Sequence, residues 1–203
     1  MLVRAIAATC CGAALALAAS PAVAGEAFAG VYAQDIDDQI SNGHIEKGPQ
    51  IVFGARTAAL DELAFLYKPR VHLIVGVNSH RGGTNYVAAG ASWRFHPLGG
   101  ERFYFEPGVG LAIHDGHVNL PSPDAPGLSQ VESARRLNDY KTKLDLGSRV
   151  LFEPELTFGW QATSRLSVEL SWIHLSHGQL AGHYNPGLGD LGVRAVYRYG
   201  VDR

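Results

Sequence analysis

The stretch SVELSWIHLSHGQLAGHYNPG, residues 167–187, sets His174 and Ser176 two apart where an alternating apolar run is about to end. On a strand, residues i and i+2 present neighbouring side chains to one face. An imidazole beside a hydroxyl is the pairing that ester cleavage needs, because a serine is a weak nucleophile until an adjacent base accepts its proton. A third group must then orient the imidazole, and hydrogen-bond donors must meet the developing oxyanion. Alone, His-x-Ser is a weak signal, since a solvated strand end gives the same pattern. Its meaning depends on which solvent that face meets.

Val168, Leu170 and Trp172 share the parity of His174 and Ser176, whereas Ser167, Glu169 and Ser171 share the other. Period-two alternation predicts eight strands, near 27–36, 49–59, 69–79, 83–96, 102–114, 145–161, 165–177 and 189–200. The sixth is the clearest, with Val150, Phe152, Leu156, Phe158 and Trp160 opposing Arg149, Glu153, Glu155 and Thr157. Alternation does not say which face is outside. A soluble lipocalin-like barrel turns its apolar face inward around a ligand, and an outer-membrane barrel turns it to lipid.

Three features favour lipid. The polar faces carry Glu106, Glu153, Glu155, Arg94, Arg149, Arg194 and Arg198, charges of both signs that can pair in a narrow lumen. Aromatic residues gather at strand ends, as interfacial girdles do. Strands of ten or more residues match a tilted membrane span. The expected fold is therefore all-β, an eight-stranded antiparallel transmembrane β-barrel in the bacterial outer membrane. With both termini in the periplasm, HPLGGE and QATSR become short periplasmic turns, and residues 115–145 an extracellular loop. His174 and Ser176 then face lipid near the extracellular end, where a polar pair is costly and a functional role is the default suspicion.

The N-terminus supports export. Arg4, an alanine- and leucine-rich run and AVA ending at Ala24 form a secretory signal over 1–24, leaving 25–203 as the barrel domain. Both cysteines, Cys10 and Cys11, fall inside that signal, which excludes a small-disulfide scaffold. A formal charge of −2 with 18% charged residues gives no global field for nucleic acid.

The stretch LGSRVLFEPELTFGW, then SVELSWIHLSHG and HYNPGLGDLGVRAVYRYG, resembles the C-terminal half of the outer-membrane lipid A 3-O-deacylases, the PagL family. The resemblance is specific over about 145–200. It implies a surface Ser-His-acid site that removes the acyl chain ester-linked at position 3 of lipid A, with lipopolysaccharide as the partner and no cofactor. Carried over, His174 is the general base, Ser176 the nucleophile and Asn185 a candidate oxyanion donor; the nearby backbone N–H of Gly178 is a further donor suggested by its position just past the serine. The sequence departs from the family in two places. His177 stands where the family has Asn after the serine, and LGD stands where it has a glutamate beyond Asn-x-Gly. Asp190 is the nearest carboxylate and the candidate acid, although strict alternation gives it the inward parity of Arg194. These departures motivate an alternative, a non-catalytic barrel of the same fold with a structural or lipid-binding role.

His114, Asp115 and His117 stand together in IHDGH, but their spacing matches no strong metal template, and loop histidines are the plainer reading. Arg81, Arg135, Arg136, Lys141 and Lys143 fall in or beside extracellular loops, where they either meet lipid A phosphates or are simply solvated.

Overall fold

The structure, a computed structural model, describes residues 24–37, 45–180 and 186–200; the expected signal over 1–24 therefore lies, but for Ala24, outside the described residues. Eight strands form: β1 (Gly25–Gln34), β2 (Pro49–Thr57), β3 (Arg70–Asn78), β4 (Tyr86–Ser92), β5 (Phe103–His114), β6 (Val150–Gln161), β7 (Leu166–Leu175) and β8 (Leu188–Tyr199). Each pairs antiparallel with its sequence neighbours, and β8 pairs with β1, so the sheet closes and no edge remains.

Closure settles what alternation left open. The apolar parity points outward, leaving Val109, Leu111, Phe152, Phe158, Trp160, Val168, Leu170 and Val193 exposed around the wall. The polar parity points inward, where Glu26, Arg56, Glu106, Glu153, Glu155, Glu169 and Arg194 are almost fully buried. A barrel greasy outside and ionic inside is built for hydrocarbon, because strands crossing lipid must pair every backbone group and hide every charge.

The buried charges pair as a network. Arg56 meets Glu26 at 2.6 Å, Glu106 at 3.1 Å and also Glu169. Arg194 meets Glu155 at 2.7 Å and Glu169 at 2.5 Å, and its guanidinium lies 4.2 Å from the centroid of the Phe28 ring. Arg94 reaches Glu26 and Glu106 and stacks 3.8 Å over Tyr104. Inward glycines make room for the rings. A Cβ at Gly159 would come within 2.0 Å of Tyr104 Cζ, and one at Gly192 within 2.3 Å of Tyr32 Cγ.

The β5–β6 connection, expected as a plain loop, contains a helix, α1 (Gln130–Thr142). Ser129 caps it by accepting the Glu132 N–H at 3.2 Å. Sequence periodicity does not reveal α1 because no residue of it is buried and it has no apolar stripe. Ion pairs one turn apart hold it instead, Glu132 with Arg135 and Arg136, and Asp139 with Lys143. Behind α1 the chain returns to the barrel mouth. Asp145 accepts the N–H groups of Asn119, Leu120 and Gly147, while Leu144 and Leu146 bury against a cluster that includes Leu151, Leu175 and Leu188. That plug braces the ends of β7 and β8, where the chemistry of interest lies.

Candidate active site

Leu175 sits inside the barrel and pairs with Leu188 of β8. Its neighbours His174 and Ser176 therefore fall on the outer face, with Trp172 and Leu170. The His174 and Trp172 rings stack with centroids 5.6 Å apart and planes 18° apart, and His174 is only 2% exposed. An imidazole packed against an indole has few orientations left to it, which is what a general base requires.

Ser176 is the residue on which β7 leaves the sheet. It exchanges both backbone hydrogen bonds with Phe152 of β6, at 2.7 and 3.2 Å. A seat of that kind fixes the serine backbone while leaving its hydroxyl on a half-buried surface. Phe152, Leu170 and Leu191 lie exposed on the same outer face of β6, β7 and β8, an apolar wall for a hydrocarbon chain.

Beyond Ser176 the chain turns sharply. Gly178 at φ 57° and Gln179 at φ 62° are both left-handed, and the Leu180 N–H bonds the His177 carbonyl at 2.9 Å. Gly178, the expected further oxyanion donor, is thus placed two residues past the serine in an exposed turn. Asn185 lies outside the described residues.

Asp190 does not join His174. It pairs with Ile173 of β7 and Gln34 of β1, both inward, and its carboxyl lies buried beside the Tyr86 hydroxyl inside the barrel. The β7–β8 ladder runs without interruption from Leu166 to Leu175, so no bulge turns Asp190 outward. The expectation that Asp190 orients the imidazole is therefore not supported by the geometry. The residue directly across from His174 on the outer face is Gly189.

The lumen also holds the group among the described residues best suited to a metal. His72 Nε2 lies 3.2 Å from Glu153, and ligand atoms of His72, Glu153 and Glu155 lie within 4.8 Å of one another. Glu155, however, is already held by Arg194, Thr157 and Ser171. Two of the IHDGH residues, His114 and Asp115, are spent on structure. His114 bonds the Ser148 carbonyl at 2.6 Å, and Asp115 accepts from the Asn85 backbone and side chain.

A family model described as lipid A 3-O-deacylase (PagL) matches residues 70–198. A search of curated proteins found no match. Among solved structures, the crystal structure of the outer membrane enzyme PagL superposes at a TM-score of 0.52 and 15% identity, over 85% of this chain and 98% of that one. Neisserial surface protein A superposes at 0.46 and 13% identity, over 89% of this chain and 98% of its own.

Proposed function

Because this chain belongs to the lipid A 3-O-deacylase (PagL) family and is an outer-membrane barrel, we propose that it hydrolyses the 3-O-linked acyl ester of lipid A with His174 and Ser176 as a catalytic pair. The observation that carries this reading is the placement of both on the lipid-facing wall, at the end of the barrel where the β5–β6 and β7–β8 connections lie. An enzyme that takes an acyl chain from a membrane lipid must present its nucleophile to the bilayer and not to the lumen.

In the mechanism, the ester carbonyl approaches Ser176 with its acyl chain along Phe152, Leu170 and Leu191. His174 takes the hydroxyl proton as Ser176 attacks. The Gly178 N–H and the Asn185 side chain stabilise the tetrahedral oxyanion. His174 returns the proton to the leaving sugar oxygen, and water, deprotonated by the same imidazole, releases the acyl chain from the serine. No step needs a cofactor.

The assay uses protein refolded in detergent, lipopolysaccharide carrying a 3-O-acyl chain, and mass spectrometry of the released 3-hydroxy fatty acid. Release above a protein-free control is expected; none from folded protein, across several lipid A types, would sink the proposal.

Asp190→Asn, altering a lumen group, should change turnover less than about threefold. The inward placement of Asp190 also favours a second reading, a barrel that has lost its chemistry and kept its lipid contacts. Folded native protein that retains lipid A and releases no fatty acid would support that one.

A further inference from the structure

Outward aromatic residues gather at the end of the barrel that holds Gly25 and Tyr199, opposite the Ser176 end, and the girdle they form is incomplete. Phe103 and Phe105 of β5, Phe158 and Trp160 of β6 and Tyr197 of β8 stand on the outer face there, joined by Phe95 just past β4. Over β1, β2 and β3 the outward residues nearest this end are Ala27, Ala55, Thr57 and Val71, none of them aromatic. The β2–β3 connection leaves the barrel at that gap. It winds into a short 3₁₀ helix, Asp61–Leu66, none of whose residues is buried. Phe65, Leu66 and Tyr67 are 76%, 47% and 84% exposed, three large apolar side chains in a row without protein over them.

The segment is built to leave water. Its backbone groups bond within it: the Leu60 N–H to the Pro69 carbonyl at 3.0 Å, Leu63 to Leu60 at 3.0 Å, Tyr67 to Ala64 at 3.1 Å and Lys68 to Leu63 at 3.2 Å. Backbone that enters an apolar medium must be paired in this way. Tyr67 and Lys68, at φ 60° and 55°, make the left-handed reversal that lets the chain close on itself. Asp61 and Lys68 flank the apolar run and pair with each other at 2.7 Å. The Leu66 carbonyl accepts the Trp93 indole N–H at 2.8 Å, which ties the segment to the wall beside β4.

We propose that Phe65, Leu66 and Tyr67 sit in the boundary between head groups and acyl chains of the membrane, and complete the girdle where the strands themselves lack one. The occupant of this surface is phospholipid. Continuity with the lipid-facing wall carries the assignment, because the segment is joined to that wall through Trp93 and fills its one aromatic gap among the described residues. Aromatic rings favour that boundary, where an apolar body and a polar tip are both satisfied. The choice of leaflet rests on the proposed function: with the His174–Ser176 end at lipopolysaccharide, this end meets the phospholipid leaflet. The consequence is orientation. Interfacial anchors set the tilt of a membrane-spanning element, and without this segment the wall would be gripped at this level by β4, β5, β6 and β8 alone.

The test measures depth and needs no turnover. The chain has two cysteines, Cys10 and Cys11, so full-length protein with Cys10→Ser and Cys11→Ser accepts one nitroxide label at a chosen site. Labels are placed singly at Phe65→Cys and Leu66→Cys, at Val193→Cys on the wall, and at Glu101→Cys and Arg165→Cys in the other two connections of this end. In vesicles of phosphatidylethanolamine and phosphatidylglycerol, collisions with dissolved oxygen and with a water-soluble nickel chelate report the depth of each. The labels at 65 and 66 should meet oxygen as the wall label does and be shielded from nickel, at about 5–10 Å below the head groups. Those at 101 and 165 should meet nickel freely. Adding Phe65→Ser and Tyr67→Ser should move the label at 66 out into water. Nickel access at 65 equal to that at 101 overturns the proposal, as does a label at 66 that keeps its depth without the two rings. Shielding from both oxygen and nickel, with dipolar broadening between labels, means that a second copy of the chain covers the segment and overturns the lipid assignment. A failed deacylase assay leaves these depths unchanged, so the two readings fall separately.

Discussion

Ser176→Ala is expected to reduce release of 3-hydroxy fatty acid on the order of 10³–10⁶-fold, because removing the nucleophile of a Ser-His site leaves only the contributions of oxyanion stabilisation and binding. His174→Ala should cost as much as Ser176→Ala, and the double variant no more than either, because the two act as one unit. Losses that multiply in the double variant would show that the residues act separately. That result would remove the nucleophile–base assignment, whatever the total activity.

The second large effect is on folding. Arg56 is buried among Glu26, Glu106 and Glu169. Arg56→Met keeps much of the length and removes the charge, leaving three carboxylates facing one another with less compensation. Breaking a buried ionic cluster at one partner typically costs about 3–5 kcal/mol, a large share of the stability of a domain this size. Urea unfolding in lipid vesicles, followed by tryptophan fluorescence, should show the midpoint fall by that equivalent. The double variant Arg56→Met with Glu106→Gln should recover part of the loss, because one of the stranded charges is gone. An unchanged midpoint in Arg56→Met would mean that the lumen network is neutralised by other means.

Arg81 and Lys141, which line one cleft at the barrel mouth, illustrate how sequence and structure divide the work. Arg81 and Lys141 stand out in the sequence as loop cations, but 60 positions of chain separate them and nothing local says that they meet. Strand closure brings their connections together. The same holds for Arg56 and Glu169, which pair across the lumen from β2 and β7.

What the sequence by itself determined is whatever follows from parity. Side chains alternate strictly along a strand, so the eight strands, their two faces and the shared face of His174 and Ser176 were all legible. So was the inward parity of Asp190, because it shares that parity with Arg194. What only the tertiary structure decided is whatever depends on pairing between strands. Which face meets lipid is set by closure, and the absence of a bulge in β8 is set by an uninterrupted ladder with β7. That the position opposite His174 is Gly189 is a matter of register. Helix α1 also stayed hidden, because ion pairs and a cap stabilise it in place of an apolar stripe. Parity is a property of one strand, whereas register belongs to two, and a linear pattern carries only the first.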